Sequence, residues 1–186
     1  MAADRLERGG TVATDPYERF GAVPQFQVTS EDVADGAAIP SRFRAGGDDV
    51  SFELSWSGAP ASTQSFAVTV HDPDAPTGSG FWHWAVFDVP PAVTSLPRGA
   101  GNPGGPLPAG ARQLKNELRE VGYTGAAPPQ GTGVHRYVVV VHAVDVPHLD
   151  LDPEATPGVL GFTLHFHTLA RAVMVPTASY DDTDAG

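Results

Sequence analysis

The chain has 186 residues, and 22 Asp and Glu against 11 Lys and Arg give it a net charge of −11. Ten arginines and the single Lys115 form no basic stripe, which excludes sequence-independent nucleic-acid binding and attraction to an anionic membrane face. Cysteine is absent, so disulfide frameworks, thiolate metal sites and Cys nucleophiles are excluded, and the expected location is the cytoplasm.

The 21 glycines and 18 prolines are too many for a helical bundle and point to turn-rich β structure. A chain of this length can bury about 70% of its unfolded surface, enough for a core without staples. Residues 1–24 are polar and broken by Gly, Ala and Pro, and read as a flexible N-terminal arm. Met1 to Gly10 contains no apolar run, so no signal peptide is expected there. Residues 25–178 read as a single domain and residues 179–186 as an acidic tail.

Phe26 to Thr29 reads as the first strand, followed by a turn-rich loop from Ser41 to Asp49. Phe52 to Trp56 alternates apolar and polar with period two, the mark of a half-buried strand. Ser65 to Asp72 continues the theme, with Phe66, Val68, Val70 and Asp72 on one face. Trp82 to Val89 is a dense aromatic and β-branched strand closed by Pro90-Pro91. Residues 97–110, with four prolines and five glycines, form a long loop, and Lys115 to Val121 reads as one or two helical turns. Arg136 to Val144, with five valines, is the strongest strand. Thr156 as N-cap and Pro157 at the first helical position open a helix running to about Ala170. A last strand is expected from Arg171 to Val175, and no apolar run approaches a membrane span. The expected fold is mainly β: an antiparallel sandwich with long loops and one or two short helices.

Several motifs fail on context. Gly99 to Gly104 matches GxGxxG, but the prolines around it forbid the helix that a nucleotide site requires. Ser79 is flanked by glycines, yet Thr77 breaks the nucleophile-elbow pattern. Strand parity places His83 with Phe81, Ala85 and Phe87, and His135 with Tyr137, Val139 and Val141. His142 falls on the opposite face from His135. His71, His142 and His148 read as ordinary strand or loop histidines, and His165 and His167 fall on different helix faces.

Asp72-Pro73-Asp74-Ala75-Pro76 is a stiff exit from a strand whose inward face ends in a carboxylate. Buried carboxylates need partners, and His83 follows on the next strand. Pro128-Pro129, a glycine-rich turn and His135-Arg136-Tyr137 form a second rigid segment.

With DPDAP at 72–76, His83-Trp84, PPxGxGxHRY at 128–137 and HTLARA at 167–172, the chain resembles the phosphatidylethanolamine-binding proteins, in their bacterial Raf-kinase-inhibitor-like branch. The resemblance runs from about Phe26 to Val175. It implies a β-sandwich with Greek-key elements and a small pocket at one end for a phosphate-like anion or phospholipid headgroup. Carried over by motif position, Asp72, Asp74, Phe81, His83, Pro129, His135 and Tyr137 line that pocket. Phe81 stands where many members carry Trp, and Ala127 where many carry Gly. The resemblance also implies modulation of a kinase or protease by binding, a homodimer, and a cis bond at Ala75-Pro76.

The chemistry fits this. Imidazole N–H groups, the Tyr137 hydroxyl and turn amides are donors for an anion. Asp72 orients a histidine and favours its protonated form. Affinity is therefore expected to rise as pH falls through the ordinary histidine range. The expectation is binding without turnover, with no metal and no cofactor. The alternative is a hydrolase of a small phosphorylated or ester substrate working through Asp72, His83 and His135. A further alternative is a two-histidine, one-carboxylate metal site built from those same three residues.

Overall fold

The computed structural model describes Tyr17 and residues 22–182. The arm expected over residues 1–24 therefore falls largely outside the described residues, as do the last four residues of the tail expected over 179–186. Three antiparallel sheets form the molecule. β3 (Ser65–Asp72) and β8 (Val138–Val144) are central in a five-stranded sheet of order β6-β4-β3-β8-β9. Its other members are β4 (Phe81–Val89), β6 (Arg112–Gln113) and β9 (Thr168–Met174). β1 (Gln27–Thr29), β2 (Leu54–Ser57) and β5 (Ser95–Leu96) make the second sheet. β7 (Val134–Arg136) pairs with β10 (Thr177–Ser179).

The central strands are apolar on both faces because both are covered. Phe66, Val68, Val70, Val139 and Val141 meet Phe52, Leu54 and Trp56 between the two larger sheets. On the far side, Ala67, Ala85 and Phe87 meet Leu160 and Leu164 of α1 (Pro157–His167). These two leucines sit four apart and so share the inward face of the helix. The Thr156 side chain accepts from the Val159 amide, the expected cap.

The helix stops at His167, short of Ala170. Thr168 turns extended, its hydroxyl donating to the Leu164 carbonyl at 2.7 Å, and β9 begins there. No helix forms over Lys115 to Val121. The side-chain Oδ1 of the buried Asn116 accepts from the Leu118 and Glu120 amides at 2.9 and 3.2 Å, and Arg119 takes φ 66°. These local bonds displace helical ones, and Lys115 and Val121 form a bridge instead. The single strand expected from Arg136 to Val144 is two strands in two sheets. Tyr137 interrupts it, its amide donating to the Pro176 carbonyl at 2.8 Å.

At the edge of the large sheet, the Phe26 amide donates to the Arg171 carbonyl at 3.1 Å and the Arg171 amide to the Pro24 carbonyl at 3.0 Å. The chain thus covers part of its own β9 edge. Among the described residues, no helix is long and apolar enough to cross a membrane.

Candidate functional site

β3 delivers Asp72 to one end of the sandwich, where it is 3% exposed. Its Oδ1 accepts from the amides of Asp74 and Ala75 at 2.8 and 3.0 Å, and its Oδ2 lies 2.7 Å from His135 Nδ1. All of its acceptor capacity is directed at fixed partners. The tight strand exit is made by these side-chain bonds. The Ala75-Pro76 bond is trans, since no cis peptide occurs among the described residues, which corrects the expectation of a cis bond.

His135 is fully buried, and its Nε2 lies 2.8 Å from Thr132 Oγ1. Thr132 Oγ1 in turn donates to the Pro129 carbonyl at 2.7 Å. With that proton engaged, Thr132 offers His135 a lone pair. Both imidazole nitrogens then face acceptors, which fixes the ring on both sides. The ring anchors the loop of Pro128 to Val134 to the end of β3. Asp74 anchors the same segment from outside. It takes Arg136 Nε at 2.7 Å, the Arg136 terminal nitrogen at 2.9 Å and the Arg136 amide at 3.0 Å. This bidentate pair holds the Asp74 carboxyl below its usual range, against the opposing effect of burial.

His83 reaches the site through a β-bulge. Val70 pairs with Trp84 and His71 with Trp82, so one step along β3 spans two along β4, and His83 is the extra residue. Simple alternation put His83 on the face of Ala85 and Phe87. The bulge breaks that alternation: Ala85 and Phe87 pack toward α1, whereas the His83 ring lies 5.0 Å from that of Tyr137, a residue of the sandwich core. The Phe81 ring packs on its other side at 4.6 Å. His83 Nδ1 donates to the Thr124 carbonyl at 2.8 Å. Burial pushes the imidazole down to about 4, opposed by that carbonyl and by the Asp72 charge. The ring is neutral at physiological pH.

Tyr137 is 1% exposed. Its hydroxyl has no hydrogen-bond partner of ordinary geometry among the described residues, and the Ala127 backbone is the polar group beside it. Burial pushes the phenol well above its ordinary value, with the Asp72 charge adding to the shift. The Arg44 charge opposes it. Arg44 was missed by the sequence reading, which placed it in an unremarked turn-rich loop. It arrives because residues 43–45 pack on Gly125: a Cβ there would lie 2.5 Å from the Ala45 nitrogen and 2.7 Å from the Phe43 oxygen. The Arg44 guanidinium also holds the C-terminal segment, pairing with the Ser179 carbonyl and lying 3.6 Å from the Asp182 carboxylate.

Asp72, His83, His135 and Tyr137 thus form one buried cluster. Asp74 brackets it through Arg136, Phe81 flanks it, and Pro129 is exposed on the loop above it. His142 lies elsewhere, between the large sheet and α1. Among the described residues, no three His, Asp or Glu side chains gather as a metal site.

The description "phosphatidylethanolamine-binding protein" belongs to the family model that matches residues 29–179. The chain is 43% identical over 151 residues to UPF0098 protein YbhB of Escherichia coli, covering 78% of this chain and 95% of that one. The crystal structure of Escherichia coli YbcL, described as a new member of the mammalian PEBP family, superposes with a TM-score of 0.82. It is 39% identical and covers 84% of this chain and 99% of that one. A phosphatidylethanolamine-binding protein homologue from Chlamydia trachomatis gives a TM-score of 0.73 at 30% identity, covering 84% of this chain and 99% of that one. With its sandwich, its DPDAP exit and its His-Arg-Tyr strand matched over most of its length, the chain belongs to the phosphatidylethanolamine-binding protein family.

Proposed function

We propose that this protein binds a small phosphate-like anion, or the phosphate of a phospholipid headgroup, at the Asp72, His83, His135 and Tyr137 cluster, without turnover. The observation that carries the reading is the Tyr137 hydroxyl, buried and with its donor proton unused beside the His83 ring. A buried donor without an acceptor costs free energy that an incoming oxyanion recovers. Arg44 adds a cation whose field reaches the same hydroxyl. Asp72 is compensated by His135 and two backbone amide hydrogen bonds, so its charge is muted toward an entering anion. The net charge of −11 works against anion entry, so affinity is modest.

The hydrolase alternative gains one observation, the chain from Asp72 through His135 to the Thr132 hydroxyl. That hydroxyl donates to Pro129 rather than to the imidazole, which favours a positioning role over an activated nucleophile. Kinase or protease modulation, a cytoplasmic location and a homodimer belong to the same reading. Light scattering at the monomer mass would remove the homodimer. The binding test is calorimetric titration with glycerophosphoethanolamine and, separately, with inorganic phosphate. Heat with both assigns a general anion site, heat with the first alone a headgroup site, and heat with neither overturns the reading.

A further inference from the structure

On the opposite side of the large sheet from the Asp72 cluster, a groove of 670 Å³ lies between one flank of α1 and β3, β4, β8 and β9. Its walls are apolar. Trp82 lies on the sheet side, and Phe162 and Phe166 of α1 form the rim, 69% and 64% exposed. His71, His165 and Thr168 add polar groups to the lining, and two further polar side chains, His142 and Arg171, carry unmade hydrogen bonds. His142 is 2% exposed, and its Nδ1 lies 3.1 Å from Thr168 Oγ1, whose own proton is given to the Leu164 carbonyl. The Nδ1 of His142 must therefore donate, which leaves Nε2 as a lone-pair acceptor. Burial, reinforced by the Arg171 charge, pushes the imidazole down to about 3 and keeps it neutral. His142 Nε2 has no partner among the described residues, and neither does the buried Nε of Arg171.

The two groups are neighbours. His142 and Arg171 are directly opposite in the β8–β9 pairing, which places their Cβ atoms about 5 Å apart. One unused acceptor and one unused donor thus belong to paired residues that line the same groove. A single hydroxyl satisfies both, donating to His142 Nε2 and accepting from Arg171 Nε. A carboxylate has no proton for the histidine, an ammonium has no lone pair for the arginine, and an ether lacks the proton. The chain itself places an aromatic ring here, although the Tyr17 hydroxyl bonds neither nitrogen. The Tyr17 ring meets His142 edge-on at 5.7 Å, and the Arg171 guanidinium lies 4.6 Å over its face.

We propose that this groove is a second binding site, for a neutral hydroxyaromatic molecule, and that Tyr17 is its resident occupant. The site shares no residue with the anion cluster and does not depend on it. Tyr17 competes with an external ligand, so the apparent affinity of the full chain is reduced by the fraction of time the groove is filled.

Calorimetric titration of 2-naphthol at neutral pH tests this on the full chain and on Tyr17→Ala. The expected result is binding to both, tighter in Tyr17→Ala by roughly tenfold, the factor for a groove filled nine-tenths of the time. On Tyr17→Ala, 2-methoxynaphthalene and 2-naphthoate are expected to bind more weakly than 2-naphthol by about tenfold or more. His142→Phe should erase the preference for the hydroxyl over the methyl ether. If that variant does not fold, the ligand series on Tyr17→Ala carries the same test. Equal binding of the ether, no tightening in Tyr17→Ala, or no heat at all overturns the proposal. So does a Tyr17→Ala protein that dimerises and takes up no 2-naphthol, a result that would assign the groove to a second copy of the chain.

Discussion

His135 Nδ1 lies 2.7 Å from Asp72 Oδ2, with both side chains closed off from solvent and the two residues 63 positions apart in sequence. This contact joins the end of β3 to the glycine-rich loop and so sets the geometry of the whole cluster. Removing one partner leaves the other buried without compensation. Asp72→Ala or His135→Ala should each destabilise the protein by about 3–5 kcal/mol. The double variant should cost clearly less than the sum of the two, because the second loss strands nothing further. Urea unfolding of the four proteins measures this, and additive losses would show that the contact is incidental.

Acidification should weaken the fold before carboxylates titrate. His83 and His142 are held down at about 4 and about 3 by burial, against an unfolded value of 6.5. Below pH 6.5 the unfolded chain takes up protons that the folded one refuses. Stability therefore falls as pH drops from 6.5 toward 4, by up to about 1.4 kcal/mol per pH unit for each ring. The depressed Asp74 carboxyl adds its own loss only below its ordinary value of 3.8. Unfolding midpoints from pH 7 to 4.5 test the sign, and His142→Phe should flatten the slope by about half. A flat profile over this window would contradict the neutral, buried state of these rings.

Gly125→Ala should damage the site without touching a polar group in it. The new Cβ meets backbone at 2.5 Å, so residues 43–45 must move and carry Arg44 with them. The expected outcome is a loss of stability of about 1–3 kcal/mol, in the range for overpacked sites. Weaker anion binding should accompany it. Differential scanning calorimetry with and without glycerophosphoethanolamine reads both effects together.

Much of this arrangement was legible in the sequence, and the exceptions have physical reasons. β3 and the helix cap at Thr156 are local patterns, and both stand where periodicity and capping rules put them. Asp72, His83, His135 and Tyr137 were recognisable because rigid prolines and glycines surround them as motifs. The facing of His83 was not, because a bulge depends on the register of the partner strand, which alternation along β4 cannot reveal. Arg44 was invisible for a similar reason. Its place in the site follows from two loops 80 residues apart packing through Gly125. The helix expected at Lys115 fails because the Asn116 side chain captures the amides that a helix would use, a choice decided by its burial.

The exchange of a neutral for a charged imidazole gives the anion site its pH signature. Free His83 is neutral above about pH 4, and a bound oxyanion raises its proton affinity. Affinity should therefore climb as pH falls from the liganded value toward 4, and level off on either side. The rise therefore extends below the ordinary histidine range expected from sequence alone, down to about pH 4. Glycerophosphoethanolamine keeps a single phosphate charge across the range, so the trend reports on the protein.

The most direct test of anion binding at this cluster is calorimetric titration of glycerophosphoethanolamine at pH 5.5 and pH 8, into the unmodified protein, His83→Ala and Tyr137→Phe. The account predicts tighter binding at pH 5.5 and a loss of roughly 1.5–3 kcal/mol in His83→Ala at that pH. It predicts a loss of about 1 kcal/mol in Tyr137→Phe, which removes only the buried hydroxyl. His148→Ala, whose side chain is 78% exposed beside Asp88, should bind as the unmodified protein does. Equal affinity at both pH values, together with unchanged binding in His83→Ala and Tyr137→Phe, would contradict the account and place any anion site elsewhere.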